Sequence, residues 1–138
     1  MARALEPVAR PAAEPDPQVA ALRVPPHSVE AEQSLLGALL LDNLAFERVA
    51  DLVTANDFYR DDHRRIFRNL AKLVEGGKPA DVVTLSDAIE TGEDKDKTGG
   101  AAYLASLAQN TPGAANARRY AEIIRERSIQ RNLAQVAT

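Results

Sequence analysis

The chain has 138 residues, the length of one ordinary domain, and its 45% apolar content is enough for a core. It contains 25 Ala, three Tyr, three Phe and no Trp, so the core must come from Leu, Val, Ile and close-packed Ala, a composition that favours helices over sheets. No Cys is present, which excludes disulfide scaffolds, thiol catalysis and the common zinc fingers; the net charge of −3 is ordinary for a soluble protein.

That charge is uneven: zero over residues 1–27, −6 over 28–99 and +3 over 100–138. No run approaches the ~18 apolar residues of a membrane span, and the first 26 residues hold no continuous apolar stretch for a secretory signal. The expectation is a soluble, cytoplasmic protein that uses no membrane.

Residues 1–26 read as a tail. Pro7, Pro11, Pro15, Pro17, Pro25 and Pro26 each remove a backbone donor and fix φ, so no helix or ladder can run through. Ser28 is a suitable N-cap, with Glu30 and Glu32 where a helix dipole favours negative charge. Leu35, Leu36, Leu39 and Leu40 then predict a central first helix over 28–41. Gly37 inside it costs about 1 kcal/mol against Ala, which a close helix crossing would explain.

Asn43 is predicted to start a second helix with Phe46, Val49, Ala50 and Val53 as its stripe. Thr54–Tyr59 reads as a connector whose Phe58 and Tyr59 plug the core. A third helix opens at Asp61-Asp62, buries Ile66, Phe67, Leu70, Leu73 and Val74, and stops at Gly76-Gly77 before Pro79. Thr84 is the predicted cap of a short fourth helix, with Asp87 completing a capping box. Residues 91–100 read as a polar loop in solvent. A fifth helix follows over 101–109, and Thr111-Pro112-Gly113 breaks it. A last helix starts near Ala114, carries Tyr120, Ile123, Ile124, Ile129, Leu133 and Val136, and shows no stop signal, as in a domain followed by more protein. The expected fold class is all-α, a compact bundle of about five to six helices ending in a long C-terminal helix.

The motifs of familiar chemistry are missing. Gly76-Gly77-Lys78-Pro79 has the wrong spacing for a phosphate loop and Pro79 where Ser or Thr is required, so a helix end explains it. No GxGxxG or GxSxG occurs. His27 and His63 lack the spacing of an imidazole metal site, and the expectation is no catalytic residue, no metal and no cofactor in this chain. Arg64, Arg68 and Lys72 recur at i, i+4, i+8 on the third helix, a stripe suited to an acidic partner, a phosphate backbone or plain solvent. It has no interleaved aromatics for stacking single strands.

The run Pro25-Pro26-His27-Ser28-Val29-Glu30-Ala31-Glu32-Gln33-Ser34-Leu35-Leu36-Gly37 resembles the opening of the N-terminal domain of the bacterial replicative DNA helicase family, DnaB. Three further stretches resemble it in order: Asp57-Phe58-Tyr59 with His63 and Ile66-Phe67; Gly99-Gly100 with Tyr103-Leu104; and Asn110-Thr111-Pro112 with Ala114-Ala115-Asn116, Tyr120-Ala121 and Arg125-Glu126. Lys95 and Thr98 stand where the family usually carries apolar residues. The resemblance covers about residues 17–138. It implies a division into a 1–26 tail, a 27–110 helical domain and a 111–138 first arm of a helical hairpin.

It also implies a collar domain that supports assembly of a hexameric ring, often as a trimer of dimers, and docks the C-terminal domain of primase. Because the second hairpin arm is not in this sequence, a monomer or weak dimer is expected for the chain itself. A helicase loader and single-stranded DNA passing through the parent ring are further implied partners. ATP, Mg, hydrolysis and unwinding belong to the parent's separate C-terminal domain. The implied partner-binding residues are Glu30, Tyr103, Arg64, Arg68, Lys72, Tyr120 and Ile124. Two other readings stay open: a helical DNA-binding protein using the third and last helices, and a metal-dependent hydrolase using Asp61, Asp62, Glu30 and His63.

Overall fold

A computed structural model describes residues 24–137, with side chains described to Gln135; the Pro-rich tail expected over 1–26 lies almost wholly outside the described residues. Among these residues there are six α-helices, two short 3-10 turns and no strand, as the all-α expectation requires. The helices are α1 (Val29–Leu41), α2 (Ala45–Val49), α3 (Asp61–Glu75), α4 (Val82–Glu90), α5 (Gly100–Asn110) and α6 (Ala117–Ala137).

Helix α1 is the axis of the fold and packs most extensively against α5 and α6. Ser28 caps it as predicted: its Oγ accepts from the Ala31 N–H at 3.1 Å, a contact worth about 1 kcal/mol. Leu35, Leu36 and Leu39 are fully buried, each contributing about 1.5–3 kcal/mol. The crossing expected at Gly37 is present. A Cβ built there would stand 2.1 Å from the Leu107 carbonyl oxygen and 2.8 Å from Thr111 Cβ, so only glycine lets α1 and α5 approach this closely.

Helix α2 is shorter than predicted and does not begin at Asn43. That side chain is used as a clamp: Nδ2 donates to the Leu39 and Ala80 carbonyls, and Oδ1 accepts from the Ala80 N–H. Phe58 plugs the core, with its ring centroid 5.0 Å from that of Phe67. Helix α3 buries His63, Ile66, Phe67 and Leu70. It ends at Gly77, where φ is +74° and the Lys78 N–H reaches back to the Leu73 carbonyl, the glycine-terminated helix end that the sequence predicts.

Two further expectations are corrected. Thr84 does not cap α4; Asp81 does, three residues earlier. The Asp81 carboxylate accepts from the Thr84 N–H at 2.8 Å, and Thr84 Oγ1 accepts from the Asp81 N–H at 3.0 Å, a reciprocal box in which Thr84 is the partner. The 91–100 segment is not solely a solvated loop, because Asp94 and Thr98 are buried.

Helix α6 also differs from its predicted pattern. Its inward stripe is Ala117, Ala121, Ile124 and Ser128, mostly small residues that allow it to lie close to α1. Ala117, Ala121 and Ile124 join the same core as residues of α1–α5, and Ser128 is buried against Asp57. Ile129 and Leu133, expected in the apolar pattern, are 42% and 64% exposed.

Candidate functional site

Three buried carboxylates organise the polar chemistry. The first is Glu32, on the same face of α1 as Leu35, Leu36 and Leu39, and only 1% exposed. Its Oε1 accepts from His63 Nδ1 at 2.7 Å and from the Arg60 N–H at 3.4 Å; its Oε2 accepts from the Tyr59 N–H at 2.6 Å. His63, fully buried on α3, meets the Tyr103 hydroxyl through Nε2 at 2.6 Å, with the two ring planes 3° apart. Gln33 Nε2 donates to the same hydroxyl at 3.1 Å.

The Glu32 carboxylate accepts from His63 Nδ1–H and the Tyr103 oxygen accepts from Gln33; with a neutral imidazole, the Tyr103 O–H donates in turn to His63 Nε2. The chain of bonds ties α1, α3 and α5 together at one point. A guanidinium closes its outer side: Arg60 lies 5.6 Å from the Tyr103 ring centroid and pairs with Asp62. The Asp62 hydrogen bond, opposed by partial burial, raises the Arg60 pKa above its ordinary value.

Asp57 is the second node. Its Oδ1 accepts from Ser128 Oγ at 2.7 Å and Arg125 at 3.0 Å, while its carbonyl accepts from Arg131 at 2.6 Å. Arg131 also donates to the Pro26 carbonyl and lies over the Tyr59 ring, on which His27 stacks at 4.1 Å. The far half of α6 is thereby fastened to the connector and to the segment before α1. Asp94 is the third node, accepting from Arg65 at 2.6 Å and Asn69 at 2.7 Å. Burial pushes its pKa up, but those bonds and the charges of Arg65 and Arg68 outweigh it and leave the carboxyl below its ordinary value.

The predicted site residues are scattered over several surfaces. Glu30 is exposed and borders a groove of about 310 Å³ with Ser34, Ser106, Asn110 and Pro112. Tyr103 is half-buried and has its hydroxyl turned inward to His63. Tyr120 is half-buried against the core. Ile124 is 2% exposed, so its side chain lies inside the domain and offers no outer surface.

The Arg64, Arg68 and Lys72 stripe is broken. Arg64 donates to the Phe58 and Tyr59 carbonyls and pairs with Asp61, whereas Arg68 and Lys72 remain exposed. The metal reading has no geometry behind it. His63 has partners on both nitrogens, Asp61 pairs with Arg64 and Arg65, and the described residues include no group of three acids or histidines fit to hold a metal.

Glu32, Gln33, Asp57 and Asp94 were not among the predicted site residues. For Glu32 the signal is legible: an acid three and four residues before Leu35 and Leu36 lies on the apolar face. His63 likewise stands three and four residues before Ile66 and Phe67. For Asp94, inside a run of exposed charges, the sequence holds no comparable signal.

Comparison with known proteins shows what this arrangement is similar to. The family description DnaB-like helicase N terminal domain matches residues 24–126. The chain is 43% identical over 121 residues to the replicative DNA helicase DnaB of Haemophilus influenzae, covering 88% of this chain and 26% of that protein. It is 40% identical over 116 residues to the DnaB helicase of Geobacillus stearothermophilus, covering 84% and 26%. The chain thus spans about a quarter of the length of these relatives. Among solved structures, the N-terminal domain of DnaB helicase from Mycobacterium tuberculosis superposes with a TM-score of 0.80 at 36% identity, covering 83% of each chain. The corresponding domain from Helicobacter pylori, described together with its interactions with primase, superposes at 0.67 with 22% identity, covering 89% of this chain and 93% of that one. The latter likeness is one of fold.

Proposed function

The chain belongs to the family of DnaB-like helicase N-terminal domains, and from that premise we propose that it is the collar domain of a hexameric bacterial replicative DNA helicase acting in the cytoplasm. It supports ring assembly and docks the C-terminal domain of primase. In the parent, ATP and Mg serve a separate motor domain that unwinds DNA around a single strand, and a loader places the ring. The observation that carries this reading is the coincidence of the matched stretch, 24–126, with the stretch that folds around α1. No helix of the described residues is long and apolar enough to cross a membrane, which accords with a cytoplasmic setting.

Self-association is supported by Ile129 and Leu133. They stand one turn apart on α6, both exposed, an apolar pair that a second copy would cover. Primase docking is supported by the groove beside Glu30, which brings the start of α1 to α5 near Tyr103. Arg68 and Lys72 stand on a different surface, and Tyr120 on α6 lies among residues packed on the core.

The test is binding of the full chain to the isolated C-terminal domain of primase by calorimetry. Glu30→Ala and Tyr103→Ala are expected to weaken it, with folding checked by circular dichroism. Unchanged affinity in both variants would overturn the docking site, and no binding by the unaltered chain would overturn primase docking itself.

A further inference from the structure

Helix α3 carries four cations on its outer side, and the structure divides them. Arg64 is fixed by two backbone carbonyls, and Arg65 by Asp61 and Asp94. Arg68 is 51% exposed, and the carboxylate nearest it, Asp94 at 3.8 Å, is already held by Arg65 and Asn69. Lys72 is exposed and has no ion-pair partner among the described residues. These two cations, one turn apart, border a groove of about 320 Å³ between α2 and α3. Its floor is apolar, made of Phe46, Val53, Phe67 and Ala71.

We propose that this groove docks an acidic amphipathic helix of a protein partner, which seats an apolar side chain on the floor and sets two carboxylates, one turn apart, against Arg68 and Lys72. Charge complementarity and spacing argue for it. A helical partner presents carboxylates at i and i+4 with the same rise as the two cations, and amphipathic helices are held in grooves through apolar anchors at that period. A nucleic-acid strand fits less well. The floor phenylalanines are 6% and 4% exposed, so they offer no open ring face for a base. The groove lies apart from the Glu30 groove, so this surface is additional to the docking proposed above.

The test uses the full chain, isotopically labelled, and a synthetic helical peptide bearing two Leu one turn apart flanked by two Glu one turn apart. The peptide is expected to shift the amides of Phe67–Lys72 and of Ala50–Val53, and to lose this effect when its Glu are replaced by Lys. Lys72→Glu is expected to weaken binding by about fivefold or more with thermal unfolding unchanged, and Arg68→Gln, which sets no second carboxylate against buried Asp94, is expected to weaken it by about threefold. The proposal is overturned if those amides do not move. It is equally overturned if both variants bind as tightly as the unaltered chain, or if an oligothymidylate moves the same amides while the peptide does not.

Discussion

Replacing His63 by Ala should test the central polar node most sharply. The change removes the donor to Glu32 Oε1 and the acceptor of the Tyr103 hydroxyl, at a position with no exposure. Glu32 would stay buried, holding the Tyr59 N–H at 2.6 Å and the more distant Arg60 N–H at 3.4 Å. Leaving a buried carboxylate short of a donor costs about 1–3 kcal/mol, and the cavity left by the lost ring adds about 2 kcal/mol or more. Against a typical domain stability of about 5–15 kcal/mol, that is about a fifth of the total or more. At a few degrees per kcal/mol for this size, thermal unfolding should fall by about 10 °C or more. The assay is urea unfolding of His63→Ala, Glu32→Gln and the double variant, followed by far-ultraviolet circular dichroism at neutral pH. A coupling energy above about 1.5 kcal/mol is expected for residues in direct contact. If the two single effects add within about 0.5 kcal/mol, the pair is not an energetic unit and the reasoning fails.

Three further outcomes follow from the geometry. Gly37→Ala places a methyl 2.1 Å from a backbone oxygen of α5 and should cost about 3 kcal/mol or more despite the better helix propensity of Ala; equal or greater stability in urea would contradict the tight crossing. Asp94 has a carboxyl pKa below its ordinary value in the folded state, so its contribution is present above the unfolded carboxylate value and is lost as pH falls through the lower folded value. Asp94→Asn should therefore flatten the loss of stability between neutral and acid pH, and a pH–stability curve parallel to that of the unaltered chain would count against it. Ser128→Ala removes a donor to buried Asp57 and should cost about 1–3 kcal/mol, with faster amide exchange in the second half of α6; exchange unchanged there would show that Arg125 and Arg131 suffice to fasten it.

How much of this was legible beforehand depends on how far each signal reaches along the chain. Apolar period, glycine ends and the Ser28 cap are local, and they placed α1, α3 and α5 within a residue or so of their observed bounds. Gly37 was also legible, because a glycine inside a strong helix demands a close neighbour. The order of four short motifs led to the DnaB family, since spacing along the chain is itself linear information. The pairing of Glu32 with His63 and Tyr103 was not legible as a site, because residues 31 and 40 positions apart meet only when α1, α3 and α5 pack. The same reason separates the Arg64, Arg68 and Lys72 stripe into one bound and two exposed cations. The inward face of α6 was misjudged because the approach of α1 selects small side chains, turning Ala117, Ala121 and Ser128 inward and leaving Ile129 and Leu133 outside. The sequence alone thus determined most of the helices, the family and the tight crossing at Gly37; only the tertiary structure decided which polar groups are buried together, because their burial is a property of facing surfaces.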